Sequence, residues 1–472
     1  MKNKIILASK SVHYLFKPKS LLLLVLLSCV YSCDEFVEVD LPNSQLTAEA
    51  VYEDKFTATA ALVDIYSKMR TAGVLSGSLS GTSSLIGNYA DELDFYGNPQ
   101  SAILPFYQNS VIATNRDIKT LWDNSYKQIY TANAVIEGVE QSTSLPQDTR
   151  DLLKGEALFI RSIIHFYLVN LFNDIPYIKT TDYLQNRQVS RTPASEVYQQ
   201  IILDLETAIT LLPEEYATAD RVRPNKYAAL ALLARVYLYA GFWAEASNAA
   251  SAVLNNTAVY QLDTSVENSF LKNSNSTIWQ FMSSAAGINT SEASSFIFNS
   301  GPPPNSALRA ELLNAFETND LRKTTWIRTV TNSTGTWHHA YKYKANTNTG
   351  TSVELSKVLR VAELYLIRAE ARARQGELIT AKEDLNAIRI RSGLPETTAN
   401  DQAELVNAIL NERRVELFTE FGHRFFDLKR MNRLNEFLAP IKPGWSATMS
   451  HLPIPEAEIL LNPNLAPQNP GY

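Results

Sequence analysis

The chain has 472 residues, of which 45% are hydrophobic, so it is long enough to bury a large core. Its formal net charge is −6, and an acidic chain is a poor candidate for binding nucleic acid or anionic lipid through charge. The length suggests two or three domains, although arrays of helices can run longer as one unit.

Residues 1–32 have the pattern of a secretory signal peptide. Lysines without any acid precede a short apolar run, Leu21 to Leu27, which is far below the ~20 apolar residues that a membrane-spanning helix needs. Val30, Tyr31 and Ser32 resemble the lipobox of bacterial lipoproteins, in which the next cysteine becomes the acylated N-terminus. We therefore predict that residues 1–32 are removed and that Cys33 carries a lipid anchor.

Two alternatives remain open at this end of the chain. Cys29 also follows a lipobox-like triplet, and a simple secreted protein cut near Ser32 would have no lipid. Cys33 is preferred because no cysteine follows it and because Asp34 and Glu35 come directly after it, as in a surface-export signal. Several acyl chains on Cys33 would form a stable tether and would leave no thiol for a disulfide, a metal site or catalysis.

Periodic apolar residues predict that most of the chain is helical. Helices are expected at about 45–70, 117–255 and 355–440. Within residues 121–139, for example, apolar side chains are mostly three and four positions apart, which puts them on one face of a helix.

An internal repeat indicates how these helices pack. Residues 234–246 align with residues 369–381, and the alignment matches Gly241 to Gly376. A helix, a glycine at the turn and a second helix with an early alanine are typical of tetratricopeptide repeats. Because one such helix pair cannot bury its apolar faces alone, several pairs must stack.

Residues 71–116 and 256–352 have a different composition. They are rich in Ser, Asn, Thr, Gly and Pro, contain scattered aromatic residues and lack a sustained helical period. Loops of this length are uncommon without a function. The sequence therefore predicts a mainly α fold, in which a tetratricopeptide-like scaffold carries a loop-rich lobe with few short strands.

The first of these loop segments contains residues suited to sugar binding. Asp91 and Asp94 lie close to Tyr89 and Tyr96 in the sequence. Sugars present apolar CH faces and many hydroxyl groups, which aromatic rings and carboxylates can bind. An alternative is a glycosidase that uses Asp91, Glu92 and Asp94 as its pair of carboxylates, although acids in loops are usually solvated.

Other chemistry lacks support in the sequence. No phosphate-binding glycine motif is present, and Gly77 to Gly81 has Leu79 where a serine nucleophile is required. His338 and His339 lack further metal ligands nearby. We expect no catalytic residue, no metal and no cofactor.

Several charged residues lie in helices that look largely buried. They are Glu156, Arg161, Glu363, Glu370, Arg413, Arg414, Glu416 and Glu420. Because a buried charge persists only when it is paired, we expect structural ion pairs between neighbouring helices.

Taken together, these stretches resemble the SusD/RagB family of outer-membrane nutrient-uptake lipoproteins, and the resemblance runs almost end to end. The stretches are CDEFVEVDLP, GEALFIRSIIHFYLVNLFNDIPY, RPNKYAALALLARVYLYAG, LRVAELYLIRAEARARQG, ILNERRVELFTEFGHRFFDLKR and the C-terminal LPIPEAEILLNPNLAPQNPGY. Each motif is modest evidence, but their order is specific. The departures are small: Asn173 stands where the family often has Gly, and Phe425 stands where it often has Trp.

The resemblance implies a single domain over residues 33–472 with about four tetratricopeptide-like units. It also implies a lipid-anchored protein on the outer face of the outer membrane that captures oligosaccharides for a SusC-like TonB-dependent barrel. Some relatives, of the RagB type, capture peptides instead, and the repeats alone would suit a scaffold for other envelope proteins. Because the family's ligand loops vary, further ligand-binding candidates are chosen by position: Trp279, Phe296 and Phe298.

Overall fold

The computed structural model describes residues 48–472, so the predicted signal peptide and Cys33 lie outside the described residues. Its α-helices, α1 to α19 in chain order, are Ala48–Val51, Lys55–Thr71, Thr82–Tyr89, Leu104–Tyr107, Arg116–Gln141, Gln147–Phe172, Tyr183–Asn186, Ala194–Leu211, Lys226–Ala240, Trp243–Leu254, Ser291–Phe296, Ala310–Leu313, Leu321–Trp326, Val361–Arg374, Leu378–Arg391, Gln402–Glu416, His423–Arg430, Leu434–Leu438 and Glu456–Leu461. Within residues 48–472, no helix is both long and apolar enough to cross a membrane. The predicted mainly α fold is confirmed, whereas the single-domain assignment of residues 33–472 stays a prediction.

The strands are short and form three separate pairs. The strands β1 to β6 are Leu93–Phe95, Thr277–Gln280, Ser306–Leu308, Ile327–Asn332, Gly335–Ala340 and Lys357–Arg360. All three pairs are antiparallel: β1 with β3, β2 with β6, and β4 with β5. The last pair is a hairpin, and its second strand lies in the run TWHHAYKYK, whose alternation is typical of a strand or a hairpin.

Helix α5 shows how the scaffold is specified locally. The side chain of Asn115 accepts hydrogen bonds from the backbone N–H groups of Asp117 and Ile118 and so caps the first turn. From there the helix buries a stripe that includes Trp122 and Ile129. The stripe packs against α6, which is buried on all sides over its second half and lies between α5 and α8.

The predicted repeat appears as two helix pairs with the same turn. Helices α9 and α10 are joined through Gly241, and α14 and α15 through Gly376. Both glycines have positive φ, 81° and 83°, which few other residues adopt without strain. Ala246 and Ala381, early in the second helix of each pair, have no exposed surface, so the helices approach closely.

The expected ion pairs are confirmed, and most of them join neighbouring helices; the partners of Glu156, Arg414 and Glu420 lie outside helices, at Arg223, Asp91 and Arg360. Each of the eight charged residues named above has an oppositely charged partner. Glu416 accepts hydrogen bonds from Arg360, Arg391 and Arg322 at 2.6, 2.6 and 3.0 Å. Burial alone would raise the pKa of Glu416, but these arginines hold it well below its ordinary value.

Five helices, α3, α4, α11, α12 and α13, lie inside the two segments that the sequence predicts as loop-rich, and α3 is the longest of them. All eight residues of α3 are buried. A helix that is buried on every side has no side facing solvent. Its polar and apolar residues are therefore not sorted onto two faces, and its sequence lacks the amphipathic period by which helices are recognised.

Candidate ligand-binding site

The two predicted loop segments meet in the structure. Strand β1 comes from the first segment and its partner β3 from the second, with Leu93 opposite Leu308. Just beyond this pair, the backbone N–H of Tyr96 donates to the carbonyl oxygen of Asn305 at 2.7 Å. Residues that are far apart in the chain therefore share one surface.

An exposed pair of aromatic rings lies at the end of β1. Tyr96 is 45% exposed, and its ring meets the half-buried ring of Trp337 edge-on, with 6.4 Å between the ring centroids. The Trp337 ring lies directly against the backbone of Gly301, where a Cβ atom would overlap it. The backbone thus supports the indole, and the pair presents a rigid apolar surface to solvent.

Polar groups flank this aromatic pair. Asp94, next but one to Tyr96, forms a salt bridge of 3.0 Å with Arg309. The hydroxyl of Tyr107 donates to the same carboxylate at 3.4 Å. Partial burial and the charge of Asp94 raise the pKa of both tyrosines, so their hydroxyls remain protonated at neutral pH. Asp94 and the two hydroxyls offer hydrogen-bond donors and acceptors beside the rings, while Arg309 is buried, also pairs with Glu311 and holds the Asp94 carboxylate in place.

A groove of about 570 Å³ lies between the same two segments. Apart from Leu79 and Ile288, its lining is polar and rich in hydroxyl groups: Arg70, Thr71, Ser78, Ser80, Ser284, Asn289, Thr290, Ser291, Ser294 and Ser295. Ser295 donates to the carbonyl oxygen of Gly77 at 3.0 Å and so ties the walls together. The volume lies within the usual range of small-molecule sites.

Two candidates from the first segment are buried. The ring of Tyr89 packs between Phe106, Phe425 and Trp445, and its hydroxyl donates to the carbonyl oxygen of Met449. Asp91 is 1% exposed and accepts hydrogen bonds from Arg424 and Arg414. Neither side chain offers a free face or atom to a ligand, so both belong to the core rather than to this surface.

The three candidates from the second segment are buried as well. Trp279 has no exposed surface: its ring packs against Tyr66 and Phe159, and its indole N–H donates to a backbone carbonyl. Phe296 lies in the apolar core of the lobe, and Phe298 packs against His339. Of the seven ligand candidates, the surface described above therefore brings together only Asp94 and Tyr96.

Sequence reasoning missed Trp337, Tyr107 and Arg309. Trp337 lies in strand β5, within the alternating run TWHHAYKYK, and alternation along a strand puts neighbouring residues on opposite faces. This alternation could have indicated that Trp337 lies on one face of the strand and its two neighbours on the other. Nothing in the local sequence indicates that Arg309 would lie beside Asp94.

Comparison with known proteins is consistent with this architecture. A family model described as "Starch-binding associating with outer membrane" matches residues 36–238, and a model of the SusD family matches residues 309–472. The SusD-like protein P2 of Formosa agariphila is 27% identical, over 95% of this chain and 98% of its own length. The two family models and this relative together cover nearly the whole chain, including the C-terminal motifs.

Solved structures show the same fold. A SusD superfamily protein from Parabacteroides distasonis superposes with a TM-score of 0.76 at 23% identity, covering 91% of this chain and all of the other. A laminarin-binding SusD-like protein superposes with a TM-score of 0.73 at 25% identity, covering 88% of this chain and 99% of the other. Because two family models together match most of the chain and full-length relatives align from end to end, the chain belongs to the SusD/RagB family.

Proposed function

We propose that this protein is a cell-surface lipoprotein of the outer membrane that binds oligosaccharide or polysaccharide nutrients and delivers them to a SusC-like TonB-dependent transporter. Membership of the family supports the uptake role, and the similar laminarin-binding protein supports a glycan as ligand. The observation that carries the proposal is the exposed pair of Tyr96 and Trp337 beside the Asp94–Arg309 ion pair.

The chemistry of this surface suits a sugar. The rings provide an apolar platform for the CH face of a pyranose, while Asp94 and the hydroxyls of Tyr96 and Tyr107 can exchange hydrogen bonds with its hydroxyls. The serine-lined groove would extend the site for a longer chain, because its hydroxyls can both donate and accept. Binding would be spread over several weak contacts, with a Kd on the order of micromolar, about −8 kcal/mol.

The location of the protein rests on its N-terminus and its family. Acyl chains on Cys33 would hold the mature chain on the outer membrane, and Asp34 and Glu35 would help to direct it to the outer face. The family model's description, which places its members at the outer membrane, supports this location. The barrel partner would receive the glycan from the loop-rich lobe.

A catalytic role at the predicted carboxylates has little support. Asp91 and Glu92 are 1% and 2% exposed, and both accept hydrogen bonds from groups of the same chain. A glycosidase needs two carboxyl groups that flank the scissile bond, and of Asp91, Glu92 and Asp94 only Asp94 is partly exposed, which leaves it without a second carboxyl group at the surface. We therefore propose binding without chemistry.

The proposal is tested by calorimetry on the mature chain, residues 33–472, with Cys33→Ala so that no detergent is needed. The ligands are starch and laminarin oligosaccharides, with peptides for comparison. We expect binding to one glycan class, and we expect Tyr96→Ala and Trp337→Ala each to weaken it about tenfold, equivalent to about 1.4 kcal/mol. Phe56→Ala is the matched control, because Phe56 is 82% exposed but lies on α2, outside the loop segments.

Each other outcome has a definite meaning. If neither Tyr96→Ala nor Trp337→Ala changes glycan binding, the site does not lie on this surface. A signal from peptides alone would assign the protein to the peptide-binding branch, and release of a shorter sugar would reveal an enzyme. If neither glycans nor peptides bind, the proposal that this chain captures a ligand without its barrel partner is contradicted.

A further inference from the structure

A second large cavity lies on the helical scaffold. It has a volume of about 510 Å³ and lies between helix α5, the segment 176–189 and the C-terminal residues 458–465. None of its lining residues comes from the two loop segments that form the candidate site described above. The cavity therefore needs a separate explanation.

Aromatic rings line this cavity from its floor to its rim. Trp122, Tyr126 and Tyr130 follow one another at four-residue intervals on one face of α5. Trp122 is nearly buried and lies 4.7 Å from Tyr126 between ring centroids, whereas Tyr130 is 50% exposed. On the opposite wall, Tyr183 is 70% exposed. The cavity thus has a fixed aromatic floor and two accessible rings at its edge.

Hydrogen bonds to the backbone hold these walls in place. The hydroxyl of Tyr126 donates to the carbonyl oxygen of Pro176 at 2.9 Å, which joins α5 to the opposite wall. Asn462 donates to the carbonyl oxygen of Val189 at 2.8 Å, which joins that wall to the C-terminal segment. The cavity is therefore preformed, and a ligand would not have to order it.

Charged and polar groups are interspersed among the rings. Lys119 bonds to one carboxylate oxygen of Asp123 at 2.6 Å and one of Glu458 at 3.3 Å, which orients both acids at the cavity. The guanidinium of Arg187 lies 5.8 Å from the ring centroid of Tyr183. Acceptors and donors for hydroxyl groups thus stand next to flat apolar faces.

This composition favours a saccharide over a docked protein. The centre of a protein interface is depleted of charged residues, whereas two carboxylates and a guanidinium line this cavity itself. Aromatic rings with a few convergent polar groups are typical of small-ligand sites of this volume. We propose that this cavity is a second saccharide-binding site, an inference that rests on the proposed function of glycan capture.

A second site would change how the protein holds a long glycan. When one part of a chain is bound at the first site, another part is at high effective concentration near the second. Polymers would therefore be retained more strongly than short oligosaccharides, even if each site is weak. Oligosaccharides should bind with a stoichiometry of two per protein.

The test uses native electrophoresis of the mature chain, residues 33–472 with Cys33→Ala, through gels that contain starch or laminarin, together with calorimetry using their oligosaccharides. We expect Tyr130→Ala/Tyr183→Ala to reduce retardation by the polysaccharide at least threefold and to lower the stoichiometry from two to one. Both rings are well exposed, so the fold should be unaffected, which circular dichroism checks. Phe56→Ala serves again as the control.

The outcomes separate this inference from the proposed function. If Tyr96→Ala/Trp337→Ala leaves glycan binding unchanged, the first site is overturned. If Tyr130→Ala/Tyr183→Ala then abolishes binding, the second site is supported. Unchanged retardation and stoichiometry in Tyr130→Ala/Tyr183→Ala would overturn the second site alone. No glycan binding at all would overturn both.

Discussion

Asp91 and Glu92 show how neighbouring residues acquire opposite properties. Both are buried, and burial raises the pKa of a carboxyl group. Arg424 and Arg414 outweigh this effect at Asp91 and lower its pKa. At Glu92, burial dominates over the one N–H donated by Thr419 and over more distant charges, and the pKa rises from 4.5 to about 7. Asp91 is therefore a structural anion, whereas Glu92 takes up a proton near neutral pH.

We predict that Glu92→Gln stabilises the fold, relative to the parent protein, more at high pH than at low pH. A raised pKa in the folded state contributes stability that is fully present below pH 4.5 and is lost as the pH rises to about 7. Glutamine has no such dependence, so the difference in unfolding free energy between the variant and the parent should rise by about 2 kcal/mol from pH 5 to pH 8. Urea denaturation at the two pH values measures it.

Asp91→Asn provides the comparison for this experiment. It leaves the buried Arg424 and the half-buried Arg414 without their carboxylate, so we expect a loss of about 3–5 kcal/mol at pH 8. The remaining titratable groups are the same in Glu92→Gln and in the parent, so their contributions largely cancel in that difference, whereas Asp91→Asn also lowers the pKa of Glu92 by removing a neighbouring negative charge. A difference for Glu92→Gln that is constant with pH would contradict the raised pKa.

At the scale of elements, the helix pairs depend on one backbone conformation. The N–H of Gly241 and that of Gly376 donate back into the helix that each ends, and both residues have positive φ. The chain can then reverse direction within two or three residues, which places the second helix against the first. A Cβ at Gly376 would meet no other atom within 4 Å, so only backbone strain opposes a substitution there.

We predict a graded loss of stability at Gly376. Gly376→Ala should lower the free energy of unfolding by about 1 kcal/mol, because the left-handed conformation is strained for alanine. Gly376→Asn should cost less and Gly376→Val more, since asparagine tolerates this region and β-branched residues do not. Gln375→Ala, an exposed neighbour with φ of −87°, should change the value by less than about 0.5 kcal/mol. Equal losses for Asn and Val would mean that strain is not the cause.

At the scale of the whole molecule, contacts between distant segments join the lobe to the scaffold. Lys342 of the lobe pairs with Glu420 at 2.5 Å, and Asp91 pairs with Arg424. The C-terminal motif is also tied into the scaffold, because Asn469 donates to the carbonyl oxygens of Phe172 and Leu452. These contacts tie the C-terminal third of the chain, which carries the ordered motifs, to the rest of the fold.

The N-terminus should decide where this whole molecule resides. We predict that Cys33→Ala moves the protein from the membrane fraction to the soluble fraction, because it removes the acylation site, whereas Cys29→Ala leaves it in the membrane. Fractionation and immunoblotting measure this. Asp34→Asn/Glu35→Gln should keep the protein in the membrane but protect it from protease added to intact cells. Membrane retention of Cys33→Ala through Cys29 would reverse the choice between the two cysteines.

The sequence by itself determined the helical repeats, the glycine turns, the buried ion pairs and the family, because these features follow from local periodicity and from motifs in a fixed order. It did not determine which aromatic residues face solvent. Tyr89 and Tyr96 are seven residues apart, yet Phe425 and Trp445 cover the first while Trp337 leaves the second exposed. Exposure depends on contacts between residues that are hundreds of positions apart, so only the tertiary structure decided which rings are available to a ligand.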